Sequence, residues 1–138
     1  MKKTLTLTLV LLIALISVLI SCGSVDADPF ETATYTEDTS LGEGSITYTL
    51  KVIVGDRTVT FTIKTDEDNL GKAFRKSGIV EGDESTYGLY IKKVNGIVAD
   101  YDVNGAYWAL SSNGEATPTG ADGITLEDGG CYELTYSK

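Results

Sequence analysis

The chain has 138 residues, 20 Asp+Glu against 11 Lys+Arg, no His and two Cys. An acidic surface of this kind excludes binding to nucleic acid through phosphate contacts, and a chain without His can build neither a His-dependent catalytic triad nor a His-ligated metal site. Fifteen of the first 22 residues are apolar and two are Lys, so the remainder carries nine basic and 20 acidic residues, a formal charge of −11.

Lys2 and Lys3 precede an apolar run from Leu5 to Ile20 that ends at Leu19-Ile20-Ser21-Cys22. A charged start, an apolar stretch too short for a comfortable membrane span and small residues at its close are the order of a signal peptide. Leu19-Ile20-Ser21-Cys22 resembles the lipobox of bacterial lipoproteins. The resemblance implies that residues 1–22 are a lipoprotein signal and that Cys22 becomes a lipidated N-terminus. Two or three acyl chains, at about 0.8 kcal/mol per buried CH₂, would fix the protein to a membrane on its extracytoplasmic side. With Cys22 lipidated, Cys131 is left without a partner and reads as a half-buried strand residue, since no His or clustered cation is present to activate it.

Residues 23–44 contain six carboxylates, several Thr and Ser, and few large apolar side chains. They are expected to form a flexible acidic tether ahead of a folded domain over 45–138. From Ile46 the pattern alternates, with Tyr48, Leu50, Val52 and Val54 on one face; Gly55-Asp56 is a tight turn; Val59, Phe61 and Ile63 then alternate on the return strand. Thr65-Asp66-Glu67-Asp68 has capping-box form and predicts a short helix in which Leu70, Ala73 and Phe74 share a face and Gly78 ends the last turn. Beyond it, strands are expected over 87–94, 97–101, 107–112, 124–126 and 131–136, separated by Asn-Gly pairs at 95–96, 104–105 and 113–114 and by Asp128-Gly129-Gly130. A hairpin, a helix and further strands give an α+β class: a small β-grasp-like sheet built from β-hairpins with one short helix packed across it.

Two groups of residues carry candidate chemistry. Asp100, Asp102 and Asn104, followed by Gly105, have the spacing that opens a calcium loop, although Ser111 stands where the closing bidentate Glu belongs; the same spacing makes an ordinary acidic turn. Tyr101, Tyr107 and Trp108 form an aromatic cluster. Neighbours in a strand point to opposite faces, so one of Tyr107 and Trp108 must lie outside the core, where it offers a stacking surface for a flat ligand. The scattered carboxylates read as a solvated surface rather than a glycosidase pair.

From Asn69 onward the order of motifs is similar to a family of bacterial surface domains of unknown function related to the C-terminal β-domain of transcobalamin and intrinsic factor. The residues concerned are Leu70-Gly71-Lys72-Ala73-Phe74, Val94-Asn95-Gly96, Tyr107-Trp108-Ala109-Leu110, Gly120, Leu126-Glu127-Asp128-Gly129 and Glu133-Leu134. This resemblance implies a non-catalytic module in which Tyr107, Trp108 and Leu110 face a ligand, with a cobalamin-like molecule as the cofactor class. The chain has no room for the helical barrel that completes the transporters' pocket, and no His for cobalt. The partners expected are therefore a membrane through Cys22 and either a small molecule or, as the alternative, a surface protein or cell-wall polymer held by an adhesion module.

Overall fold

The structure is a computed structural model and describes residues 27–138; the lipobox and Cys22 lie outside the described residues. The alternating run from Ile46 forms β2 (Ile46–Val54), preceded by a short β1 (Thr39–Gly42) and followed by β3 (Arg57–Thr65). β2 and β3 pair antiparallel in unbroken register from Ile46–Thr65 to Val54–Arg57, which puts Leu50 opposite Phe61 and Val52 opposite Val59 on the buried face. Gly55 closes the hairpin at φ 61°, a conformation that a residue with a Cβ resists.

The helix α1 runs Leu70–Ser77. Its cap is Asn69, whose side chain accepts from the Lys72 amide, and the expected capping-box hydroxyl of Thr65 accepts from Glu67 instead. Leu70, Ala73 and Phe74 are buried, with the Phe74 ring 6.4 Å from that of Tyr48, so the helix lies across the inner face of the hairpin. Gly78 ends it at φ 77°, as its position in the sequence requires.

After α1 come β4 (Val80–Ser85), β5 (Gly88–Val94) and β6 (Ile97–Val98), an antiparallel three-stranded sheet. A one-turn helix α2 (Tyr101–Asn104) leads into β7 (Tyr107–Ser112), β8 (Glu115–Ala116) and the closing strand β9 (Cys131–Ser137). β9 inserts between β2, to which it is parallel, and β7, to which it is antiparallel, giving the six-stranded order β1-β3-β2-β9-β7-β8. A hairpin flanked by a parallel final strand, with a helix across one face, is the β-grasp arrangement expected. Register carries the inner face through the sheet, from Phe61 to Leu50 to Tyr132 and from Val52 to Leu134 to Leu110.

Four local expectations are corrected. Residues 97–101 are not one strand: pairing stops at Val98, and Asp100 caps a helical turn whose end is Gly105 at φ 68°. The Asn104-Gly105 pair thus ends a helix, whereas Asn95-Gly96 and Asn113-Gly114 make hairpin turns with both residues at positive φ. Residues 124–126 make a single bridge, between Thr125 and Asn69, instead of a strand. Val80–Ser85, which shows little apolar alternation, is a strand because it completes the small sheet beside β5.

The fourth correction concerns the segment 23–44, expected as a free tether. From Asp28 onward it is part of the folded body. Pro29–Thr32 form a 3₁₀ turn capped by Asp28, Phe30 is buried, and β1 pairs parallel with β3. Tyr35 packs edge-on against Phe61 with ring centroids 5.6 Å apart, and Asp38 accepts from the Thr60 amide at 2.9 Å. Averaged composition conceals this because Phe30, Tyr35 and Leu41 are few, yet each meets the core while backbone hydrogen bonds hold the residues between them.

Candidate functional site

The pleat of β7 sorts the predicted ligand residues. Trp108 and Leu110 point to the inner face, paired across the ladder with Tyr136 and Leu134, whereas Tyr107 points to the outer face and is 49% exposed. Tyr107 and Trp108 therefore belong to two different surfaces. Leu110 is partly buried against the core. Trp108 is buried, and its Nε1–H has no hydrogen-bond partner.

The ring of Trp108 meets that of Tyr136 nearly at right angles, with centroids 5.7 Å apart. Tyr136, half-buried near the end of β9, forms part of the wall of an open cavity of about 530 Å³. The opposite walls come from the 3₁₀ turn at Pro29–Thr32, from β6 through Ile97 and Val98, and from Asn104. Asp28, Glu31 and Lys138 contribute charged groups at its border. A second hollow of about 490 Å³ continues past Pro29 and Tyr136 to Gly55 and Arg57 at the hairpin turn. The volume of the first falls in the usual range for small-molecule sites, and its mixture of apolar wall and scattered polar groups is of the same kind.

Elements from both chain ends are needed to make this hollow. Asp28 caps the 3₁₀ turn by accepting from the Phe30 amide at 3.0 Å, and its other oxygen pairs with Arg57 at 3.0 Å. The Arg57 guanidinium also lies over the Phe30 ring, 5.0 Å from its centroid. These contacts fasten the turn to the β2–β3 hairpin, and the parallel β9 then brings Tyr136 beside it. Asp28, Pro29 and Tyr136 are not among the ligand residues expected from the sequence. Signals for them exist: Asp-Pro is a cap followed by a residue suited to the first helical position, and Tyr136 extends the alternation of Tyr132 and Leu134.

The structure brings Asp100, Asp102 and Asn104 together at α2, with Asp100 as its N-cap, and engages the side chains of Asp100 and Asn104 in local bonds. Asp100 accepts from the Asp102 amide, and its carboxylate lies 3.4 Å from Lys92 Nζ. Asn104 Oδ1 accepts from the amides of Asp100 and Ala106 while its Nδ2 donates to the Val98 carbonyl. Among the described residues, no group of three or more His, Cys, Asp or Glu is placed to hold a metal ion. Asn104 does reach the cavity, so this loop forms one of its walls.

A separate ionic cluster ties α1 to the small sheet. Arg75 forms a two-pronged bond with Glu84, at 2.7 and 2.8 Å, and a second with Asp122, at 2.7 and 3.1 Å. Asp122 also accepts from the Leu89 amide. The Arg75 hydrogen bonds hold the Asp122 and Glu84 carboxyls below their ordinary range, and the two carboxylates push the Arg75 guanidinium up in return. In the core, burial raises the Tyr48 hydroxyl, with Tyr132 adding to the shift; that hydroxyl has no partner. No helix among the described residues is long and apolar enough to cross a membrane.

Residues 67–138 match the family described as a domain of unknown function, DUF4430. Among solved structures, the chain is similar to a conjectured metal-binding protein from Ruminococcus gnavus ATCC 29149. The two are 33% identical, with a TM-score of 0.62, over 68% of this chain and 98% of that one. It is also similar to haptocorrin, solved in complex with Cbi, at 23% identity and a TM-score of 0.49, over 67% of this chain and 25% of that one. No curated protein matches the chain. With the family's residues running from Glu67 before the helix to the last strand, and the R. gnavus protein matched over nearly its whole length, the chain belongs to the DUF4430 family.

Proposed function

We propose that the protein is a lipid-anchored, extracytoplasmic binding module without catalysis, which takes a small, flat molecule, corrinoid-like in its chemistry, at the cavity walled by Pro29, Val98, Asn104 and Tyr136. The observation that carries this reading is the hollow of about 530 Å³ whose Tyr136 wall is braced from behind by Trp108. A planar ligand would find an aromatic face in Tyr136, an apolar wall in Ile97 and Val98, and hydrogen-bonding groups for peripheral amides in Glu31 and Lys138. Those donors and acceptors fit the outer edge of a corrinoid; the chain supplies no His for its metal. In this arrangement the sequence-derived trio divides its work. Trp108 supports the wall, Leu110 packs beneath it, and Tyr107 serves the other sheet face.

Trp108 is the sole tryptophan, so its fluorescence reports directly on Tyr136 and the cavity. Titration with cobinamide and cobalamin is expected to give saturable quenching at about 10–100 μM, beyond that of free tryptophan at equal absorbance, and Tyr136→Ala to weaken it about tenfold. Quenching that never exceeds the free-tryptophan control would reject a corrinoid at this site.

The alternative, an adhesion module without a small-molecule ligand, draws on the β4–β5 hairpin, where Tyr87 is 92% and Tyr90 46% exposed. It predicts capture of a surface protein or cell-wall polymer by residues 27–138 that is lost on Tyr87→Ala and kept on Tyr136→Ala. The metal reading suggested by the R. gnavus protein's name would fall on Asp100, Asp102 and Asn104, with calcium as the cation suited to their oxygens.

A further inference from the structure

Among the described residues, four of the six exposed large apolar ones fall within ten positions of the chain: Val98, Tyr101, Val103 and Tyr107, exposed by 42, 67, 75 and 49%. They surround α2, and the loop that carries them stands at the end of the molecule where the described chain begins. Val98 and Asn104 line the same cavity as Ala27. The other two, Tyr87 and Tyr90, belong to the hairpin at the start of β5, whose seven residues separate Tyr87 from Asn95 and Gly96 by about 23 Å.

The position of Ala27 matters because of what lies ahead of it. If Cys22 is the lipid-bearing residue, as the reading above holds, four residues separate it from Ala27, and the five chain steps from Cys22 to Ala27 span at most about 18 Å. A compact body of this size has a radius of gyration of about 13 Å. The anchor is therefore long enough for the Ala27 end to lie against the bilayer and too short for the Tyr87 end to turn toward it.

We infer that the loop from Val98 to Tyr107 is a membrane-contact surface, with Tyr101 and Val103 entering the interfacial layer of a zwitterionic bilayer. Tyr suits that layer because its ring is apolar and its hydroxyl stays hydrated. The contact does not have to supply affinity. The acyl chains already confine the domain to the surface, so a few partly exposed apolar side chains suffice to select one orientation. Asp102 is the exposed acidic residue carried on α2, which makes a neutral headgroup the fitting partner and an anionic one a poor match. Docking this way sets the cavity at the lipid surface instead of holding it clear of the membrane.

The test uses the full, lipid-modified chain reconstituted in phosphatidylcholine vesicles whose acyl chains are brominated. Tyr101→Trp and Tyr87→Trp are compared in a Trp108→Phe background; Val103→Trp with Trp108 retained repeats the measurement independently. Flotation of the protein with the vesicles reports on the anchor, and brominated-lipid quenching reports on contact. The expected result is flotation of every variant, with fluorescence falling about twofold for Tyr101→Trp, by about a quarter for Val103→Trp because Trp108 still emits, and by less than about a tenth for Tyr87→Trp. Variants that float but are quenched at neither or at both ends would overturn the docking surface and leave the anchor standing. Protein that fails to float would overturn the anchor, and the docking surface with it.

Discussion

Asn95 grips Tyr35 by both sides of its backbone: Asn95 Oδ1 accepts from the Tyr35 amide at 2.9 Å while Nδ2 donates to the Tyr35 carbonyl at 2.8 Å. Its own carbonyl accepts from Thr34 and its amide donates to Ile79, so one buried side chain and its peptide groups join the N-terminal segment to the small sheet. Asn95 does this from φ 51°, where Asn is among the residues best tolerated. Asn95→Ala would leave two partly buried backbone groups without partners and place a Cβ-bearing residue with no compensating bond in that conformation. The expected loss is about 2–4 kcal/mol in urea unfolding followed by Trp108 fluorescence. Asn95→Gly relieves the backbone and still removes the clasp, so it should recover only part of the loss; full recovery would show that conformation, not the clasp, matters at this site.

The same segment decides where the stable domain begins. A protein starting at Ser45 lacks Phe30, Tyr35, the clasp and β1, and exposes the ring of Phe61. It is expected to lose at least about 3 kcal/mol relative to residues 27–138, or to fail to fold cooperatively. Equal melting temperatures for the two lengths would mean that the segment is a passenger after all.

The Arg75 cluster gives a pH dependence with a definite sign. Because the hydrogen bonds from Arg75 hold the Asp122 carboxyl below its ordinary 3.8, its stabilising contribution is present above that value and is lost as pH falls through the lowered one. Asp122→Asn should therefore lower stability at pH 7 and flatten the acid limb below about pH 4, while leaving the profile between pH 6 and 8 parallel to that of the parent. An acid limb unchanged in Asp122→Asn would transfer the effect to other carboxylates.

Trp108 carries a buried donor without a partner, and the two obvious replacements should behave differently. Trp108→Phe removes that donor and keeps a ring against Tyr136, so a cost below about 1.5 kcal/mol is expected; Trp108→Ala opens a void and should cost about 3–5 kcal/mol. A large loss in Trp108→Phe would reveal a hydrogen bond donated by Nε1–H, for example to a bound water, that supports the fold.

Asp100 distinguishes a helix cap from a cation ligand. As a cap it should contribute about 1 kcal/mol, lost in Asp100→Ala whether or not calcium is present. A melting temperature raised by calcium over chelator in the parent and not in Asp100→Ala would assign the ion to this loop.

Elements whose pattern is local are legible in the chain of amino acids. The period-two alternation from Ile46 to Ile63, the stripe of Leu70, Ala73 and Phe74, and Gly78 as the helix stop all express which side of a short element meets the core, and neighbours in the chain suffice to set that. The pleat also required that Tyr107 and Trp108 part company. Which of them is buried depends on β9 entering between β2 and β7 and bringing Tyr136 beside Trp108. Likewise, an acidic stretch with few large apolar residues reads as a tether until Asn95, sixty residues distant from Tyr35, and the edge of β3 provide partners for its backbone. The cavity has the same origin: its walls come from Pro29, Val98, Asn104 and Tyr136, residues that no local pattern links and that meet only because the first and last segments of the domain close on the same end of the sheet.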